Sequence, residues 1–354
     1  MNQIACFVSP HGFGHATRAI AVVEALQRIR PDIHTHFFTT VPRSLFDQTL
    51  ADFTYHPAVV DVGLVQSSAL DSDIPATIKQ LDRFLPFSKA LVVDLAAKCA
   101  RCSLILCDIA PLGITVAQYA GLPSILVENF TWDWIYQPYL KKHLKLQPHA
   151  QFLEKKFAQA DYRIQTEPLC FPAKRDLHCG PIFRRVKGNH FSLRQDLGCG
   201  YKKLVVVTMG GIFQKIPSHL NMAEFSHMHF LFTGQAETKQ IGENIALLAQ
   251  DSGIYHPDLF CIADVVVCKT GYSTIAECCQ AGARVISVGR ADFPESKVLQ
   301  SYLQDRLGGV SITQEMYQDG RWMTLASNLL TTPKPAAVSE NSADQVADFL
   351  SGLI

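Results

Sequence analysis

The segment Ala263-Asp264-Val265-Val266-Val267-Cys268-Lys269-Thr270-Gly271-Tyr272-Ser273-Thr274-Ile275-Ala276-Glu277 decides how the chain folds. An apolar, β-branched run ends in a glycine turn and gives way to a helical pattern. This predicts a strand, a tight turn and a helix whose first amides face open space. Those amides lack intrahelical partners and carry about half a positive charge, which suits an anion such as a diphosphate. Glu277, near the first turn, repels phosphate but can accept two hydrogen bonds from adjacent hydroxyls, as a ribose presents them. The same residues also fit a capping box, Thr274-x-x-Glu277, in which the carboxylate only closes the helix start. Local pattern leaves both readings open.

The 354 residues are 48% hydrophobic and 18% charged, a globular composition long enough for two domains. Lys plus Arg and Asp plus Glu both total 32, so net charge offers no footprint for nucleic acid or another polyanion. The first apolar run, Ile4 to Val8, is short and closed by Ser9-Pro10, unlike a signal peptide. No run reaches the roughly 18 to 20 apolar residues of a spanning helix. The eleven cysteines are odd in number and set in apolar segments such as Leu106-Cys107-Asp108, which suggests reduced thiols and a cytoplasmic protein.

Outward from the deciding segment, the same βα signal recurs at the start of the chain. Ile4 to Val8 predicts a strand, Ser9-Pro10-His11-Gly12-Phe13-Gly14-His15-Ala16-Thr17-Arg18 a loop and helix start, and the helix continues to about Arg28. Open α/β sheets place ligands at such strand ends. Thr17 stands where a dinucleotide fingerprint needs its third glycine, and the lysine of a phosphate loop is absent. His15, at a helix mouth, has its neutral form favoured by the dipole and suits a base acting on an acceptor hydroxyl. Capping or packing is the plainer role for it. Arg18 shares its helix face, so an anionic ligand could touch both.

Further strands are expected at His36 to Thr40, Phe53 to Val60, Leu104 to Asp108 and Ser124 to Glu128. A long helix is expected within Ile74 to Ala100 and another from Pro111 to about Ala120, which together predict a mostly parallel sheet. Asp71-Ser72-Asp73, Cys99-x-x-Cys102 and the pair His34 and His36 each suggest a metal, but none has enough ligands, so no metal site is expected. Asn129 to Tyr139 is the densest aromatic stretch and follows a strand end, where its rings could stack on a sugar or a lipid. Lys141, Lys142, Lys145, Lys155 and Lys156 beyond it fit either a peripheral membrane contact or a solvated helix face.

In the second half, Lys203 to Thr208 predicts a strand followed by the turn Met209-Gly210-Gly211, where backbone can approach a ligand closely. Phe230 to Thr233 predicts another strand, and Tyr255 leads into the opening segment. Val285 to Gly289 follows, with the loop Arg290 to Glu295 and a helix to about Leu307. The boundary is expected at Gly180-Pro181, giving domains 1–180 and 181–354, with the last helix free to pack back on the first.

With these motifs in order, the chain resembles GT-B glycosyltransferases related to the peptidoglycan N-acetylglucosaminyltransferases. It is closer still to the N-terminal, glycosyltransferase-like part of plant L-arabinokinase. The resemblance rests on His11 to Arg18, Val65-Gln66, Asn129 to Asp133 and Lys269 to Thr274, and spans nearly the whole chain. It implies an α/β GT-B fold of two Rossmann-like domains facing a cleft. It also implies a metal-independent, inverting transfer from a nucleoside diphosphate sugar, UDP-linked, to a hydroxyl acceptor, with no cofactor. Carried over, His15 is the base and Glu277 binds the ribose, while Gly271, Tyr272, Ser273 and Thr274 receive the diphosphate. Gly14, Arg18, Gly210, Gly211, Tyr255, Asp292 and Glu295 complete the donor side. Gln66, Asn129, Trp132 and Asp133 are the acceptor-side candidates. Lys297, Val298 and Leu299 stand where the peptidoglycan enzymes carry a glutamine and asparagine pair, so the resemblance does not fix the donor sugar. A nucleotide-sugar hydrolase and a noncatalytic nucleotide-sugar module remain alternatives.

Overall fold

Parallel strands covered on both faces must be apolar along their whole length, and the runs Ser124–Glu128 and Val265–Lys269 are buried at every residue. The computed structural model describes residues 2–188, 190–211, 213, 216–217 and 220–354, side chains 190 and 191 excepted. Its contacts define two units. The first is Met1–Val65, Ser72–Phe183 and Asn341–Ile354, and the second is Gln66–Asp71 and Arg184–Glu340.

The first unit begins with β1 (Asn2–Val8), α1 (Gly14–Ile29), β2 (Ile33–Thr39), α2 (Arg43–Asp47) and β3 (Thr54–Pro57). It continues with α3 (Ile74–Phe84), α4 (Lys89–Lys98), β4 (Cys102–Asp108), α5 (Pro111–Ala120) and β5 (Ser124–Glu128). After these come α6 (Trp132–Tyr136), α7 (Gln147–Phe157), β6 (Tyr162–Thr166) and β7 (Leu177–Cys179). The sheet order is β3-β2-β1-β4-β5-β6-β7, every neighbour parallel. The chain therefore reverses its direction of growth between β1 and β4, where Val8 pairs with Asp108. Such a reversal opens a crevice at the carboxyl ends of the strands.

The single long helix expected within Ile74 to Ala100 is two helices. Pro86 has no amide to donate and disfavours helical backbone before it, so α3 stops at Phe84 and α4 starts at Lys89. Asp73 accepts from the Ala76 amide at 2.8 Å as the cap of α3, which accounts for one carboxylate of the Asp71-Ser72-Asp73 pattern.

The second unit holds α8 (His190–Asp196), β8 (Lys203–Thr208), β9 (Met228–Gln235), β10 (Lys239–Gly242) and β11 (Ile245–Ala249). Next are α9 (His256–Ile262), β12 (Val265–Lys269), α10 (Tyr272–Ala281), β13 (Arg284–Val288) and α11 (Glu295–Leu307). It ends with β14 (Val310–Ile312), α12 (Gln314–Gln318) and α13 (Arg321–Leu329). The order β10-β11-β9-β8-β12-β13-β14 is parallel except for β10 on β11, and its reversal lies between β8 and β12. Residues 66–71 belong to this unit because Ala69 and Leu70 are buried in its core beside Met209 and Trp322. The last helix, α14 (Ala343–Ser351), packs on α1 in the first unit through Val346, Ala347 and Leu350, and Arg28 pairs with Asp344.

Candidate functional site

His15 is the second residue of α1 and is 8% exposed. Its Nδ1 lies 2.9 Å from Oδ1 of Asp108, the last residue of β4. The β1/β4 reversal therefore delivers both groups from adjacent strand ends. Arg18, 1% exposed, clasps the same carboxylate with Nε to Oδ2 at 2.7 Å and Nη2 to Oδ1 at 2.6 Å. Its Nη1 donates to Asn129 Oδ1 at 2.9 Å. Ile109, directly after Asp108, is buried at φ 41°, a value a β-branched residue adopts only under strain, so the backbone turns sharply where the carboxylate is presented.

Burial lowers the His15 pKa by more than its bond to Asp108 raises it. Burial alone would raise Asp108, but the charge and hydrogen bonds of Arg18, with the bond from His15, hold it below the ordinary carboxylate value. Both shifts favour neutral imidazole beside an ionised carboxylate. Nδ1 then carries the proton toward Asp108, and Nε2 keeps the lone pair.

A second buried network shapes the His15 loop. Asp61 Oδ2 accepts from Ser9 Oγ at 2.6 Å and from the Trp132 indole N–H. Burial raises Asp61 to about 6 despite these bonds. Trp132 and Phe130 set their ring edges against His15, at centroid distances of 6.2 and 5.8 Å. Gly63 has φ 63°, and a Cβ there would stand 2.9 Å from His11 Cβ and 3.0 Å from the Trp132 ring, so only glycine fits.

In the second unit, Lys269 ends β12, paired with Val288 of β13 and one residue beyond Cys268, which pairs with Thr208 of β8. It is 9% exposed and has no hydrogen-bond or ion-pair partner among the described residues. Burial, reinforced by the charge of Arg290 and opposed by Glu295, lowers it to about 7. Gly210, at φ 68°, lies against it, and a Cβ there would stand 2.7 Å from Lys269 Cε. Gly211 follows at φ 80°.

α10 starts at Tyr272 with Gly271 as its cap residue, and no side chain caps it. Gly271 has extended backbone at φ −143°, which any residue adopts. Thr274 is the third helical residue, too late to cap, so the capping box does not form. Glu277, 3% exposed, instead accepts from Arg184 Nε at 2.8 Å and Nη2 at 3.4 Å. That guanidinium lies 5.0 Å from the centre of the Tyr255 ring, and Lys187 Nζ lies 4.6 Å from it. Glu295 is buried at the start of α11, Asp292 is exposed, and Arg290 lies 3.8 Å from the centre of the Phe293 ring.

The first unit thus joins His15 and Arg18 to Asp108 and, through Arg18, Asn129, with Gly14 beside His15 in α1 and Trp132 against its ring. Gly210, Gly211, Tyr255, Gly271, Tyr272, Ser273, Thr274, Glu277, Asp292 and Glu295 all lie in the second unit. Four expectations change. Arg18 is fastened inside the protein rather than held out to an anion. Trp132 is fully buried, a wall behind His15 rather than an open stacking platform. Gln66 lies with the second unit, its Nε2 buried without a partner among the described residues. Asp133 lines a cavity apart from His15.

Asp108, Lys269 and Arg184 were missed. The first two carry the same visible signal, a charge closing an apolar strand. Arg184 has none, because Glu277 is 93 residues away. Among the described residues no group of three or more His, Cys, Asp or Glu could hold a metal ion, and no helix is long and apolar enough to cross a membrane. In the basic stretch, Leu144 is 73% exposed beside Lys141, Lys142 and Lys145, whereas Leu146 is buried.

The fold is that of the GT-B glycosyltransferases, two Rossmann-like domains each built on a seven-stranded sheet. Arabidopsis thaliana UGT89C1 complexed with quercetin aligns at TM-score 0.66 and 11% identity, over 99% of both chains. LpCGTa in complex with UDP aligns at 0.62 and 14%, also over 99% of both. MurG of Acinetobacter baumannii aligns at 0.53 and 14%, over 99% of this chain and 100% of its own. Among curated proteins the chain is similar to L-arabinokinase of Arabidopsis thaliana, 27% identical over 333 residues. That match takes in 90% of this chain but 31% of the relative. No family model matches the chain.

Proposed function

We propose that the protein is an inverting glycosyltransferase that moves a sugar from a nucleoside diphosphate sugar to a hydroxyl acceptor. The buried contact of His15 with Asp108, at the strand reversal of a GT-B fold, carries this reading. Asp108 fixes the tautomer, so His15 Nε2 takes the acceptor proton as the acceptor oxygen attacks the anomeric carbon. The bond from that carbon to the diphosphate breaks, and configuration inverts. The second unit holds the donor, with the α10 amides and Lys269 set against the departing negative charge, a positive field that needs no bound metal. Glu277 takes the ribose hydroxyls after sharing or exchanging its bonds with Arg184. UDP is the favoured carrier because the aligned structures include complexes with UDP and with UDP-2fluoro-glucose. Eleven free thiols accord with a cytoplasmic setting.

The test is turnover across a panel of nucleoside diphosphate sugars with hydroxyl acceptors. His15→Ala should lower it about 10²–10⁴-fold with the circular dichroism spectrum unchanged. Full activity in that folded variant would sink the proposed base. Sugar release without any acceptor would identify a hydrolase, and binding of donors without turnover would identify a noncatalytic module.

A further inference from the structure

Asp61 is a buried carboxylate of the first unit that takes no part in the proposed reaction. Its donors are all neutral: the Ser9 hydroxyl, the Trp132 indole and the amides of Val62 and Gly63. No ion pair reaches it among the described residues. A charge enclosed without a counter-charge is less favourable than a packed apolar side chain, so packing does not account for it. Its position in the fold does. Ser9 follows β1, Asp61 lies beyond β3 and Trp132 opens α6 after β5, three strands that are not neighbours in the sheet. A single oxygen, Oδ2, accepts from both Ser9 Oγ and Trp132 Nε1, so one atom sets the spacing of two loops.

Both loops lead to His15. The Ser9 amide donates to the Asp108 carbonyl at 3.2 Å, and Ser9 Oγ accepts from the His11 amide at 3.4 Å, which ties the turn before α1 to the end of β4. Trp132 presents its ring to His15 at 64°, and His11 sets its own ring on Trp132 at 4.9 Å. The residues after Asp61 close the same arrangement. The Leu64 amide donates to His11 Nδ1 at 3.4 Å, and the Tyr136 hydroxyl donates to the Gly63 carbonyl at 2.6 Å. We propose that Asp61 is a positioning residue, whose Oδ2 holds the Ser9 turn and the Trp132 ring at the spacing that keeps the His15 imidazole aimed for proton transfer. It acts through those two side chains and has no bond to His15 among the described residues. The kinetic part of this assignment rests on the transferase reading of His15, and the geometric part does not.

Histidine-ring NMR of the full chain, with the His15 signals assigned from the spectrum of His15→Gln, reads the geometry without substrate. Asp61→Ala should move the His15 signals, and Asp61→Asn, which still offers one oxygen, should keep them near their parent positions. In transfer assays Asp61→Ala and Trp132→Phe should each lower kcat about 10–100-fold. The double variant should fall no further than Asp61→Ala, because both changes break the same bond. Asp61→Asn should recover about tenfold of the loss. Uridine diphosphate affinity should be the same in all of them, since the proposed donor groups lie in the second unit. His15 signals that stay in place in Asp61→Ala, additive losses in the double variant, or no recovery in Asp61→Asn would overturn the proposal. If Asp61→Ala does not fold, Ser9→Ala makes the NMR comparison with one donor removed, and unmoved His15 signals there count against it equally. A parent that transfers no sugar sinks the transferase reading instead and leaves the His15 signals to decide this one.

Discussion

Asp108 and Lys269 occupy corresponding places in the two sheets. Each ends the strand that follows the reversal, β4 beside β1 and β12 beside β8, and each is a buried charge. Their surroundings are opposite. Asp108 is clasped by Arg18 and bonded to His15, so its network is complete without a ligand. Lys269 has no such partner among the described residues, and the nearby Arg290 lowers its pKa further. In the proposed reaction the completed network fixes the tautomer and position of the base, whereas the incomplete one holds positive charge for the departing anion. Preorganisation takes both forms in one fold.

Removing each charge should therefore affect stability very differently, and this is the largest contrast available. Asp108→Ala leaves Arg18 buried without its counter-charge and should cost about 3–5 kcal/mol in urea unfolding. Lys269→Met removes a buried charge that has no ion-pair partner, so the same measurement should show no loss of stability. Its cost should appear in binding, as about 10–100-fold weaker affinity for a nucleoside diphosphate. A Lys269→Met protein as destabilised as Asp108→Ala would mean that Lys269 is a structural charge, and the contrast would collapse.

Acidity separates the two sites as well. In the proposed reaction His15 acts neutral, and its pKa lies below the ordinary 6.5, so kcat/KM for the donor should fall only on an acid limb below that value. In the same proposal Lys269 acts as a cation and is deprotonated above about 7, so the free protein should lose donor affinity as pH rises through neutrality. The profile should be a bell with its alkaline limb near 7. Lys269→Arg keeps its charge at every working pH and should push that limb to higher pH, leaving the acid limb in place. An alkaline limb that does not move assigns it to another group.

How much of this was legible beforehand follows from the range of the interactions. The alternation of apolar runs and helical periods gave two parallel sheets, because strands buried on both faces cannot hide their composition. Asp108 and Lys269 each close an apolar run, a visible signal, but nothing in that run shows which of its end residues is buried and charged, so neither is picked out. The fate of Arg18 was not visible either, because helical spacing showed its neighbour His15 but not Asp108 or Asn129, which are 90 and 111 residues away. The hairpin of β10 and β11 lacks a continuous apolar run: Lys239, Gln240 and Ile241 on its edge strand are exposed. For Glu277 the local pattern points to paired ribose hydroxyls as the donors. In the structure those donors are the guanidinium nitrogens of Arg184.

The smallest expected effect concerns Thr274, where the local pattern pointed the wrong way. A working cap would cost about 1 kcal/mol on replacement by alanine. Thr274 is already the third residue of α10 and caps nothing. Alanine is also the better helix former there, by up to about 0.7 kcal/mol. Thr274→Ala should therefore leave ligand-free stability within about 0.5 kcal/mol of the parent, on either side. If its hydroxyl meets the diphosphate, the stabilisation by uridine diphosphate should shrink in the variant while ligand-free unfolding stays put. Loss of about 1 kcal/mol without ligand would restore the cap and require the start of α10 to shift by three residues.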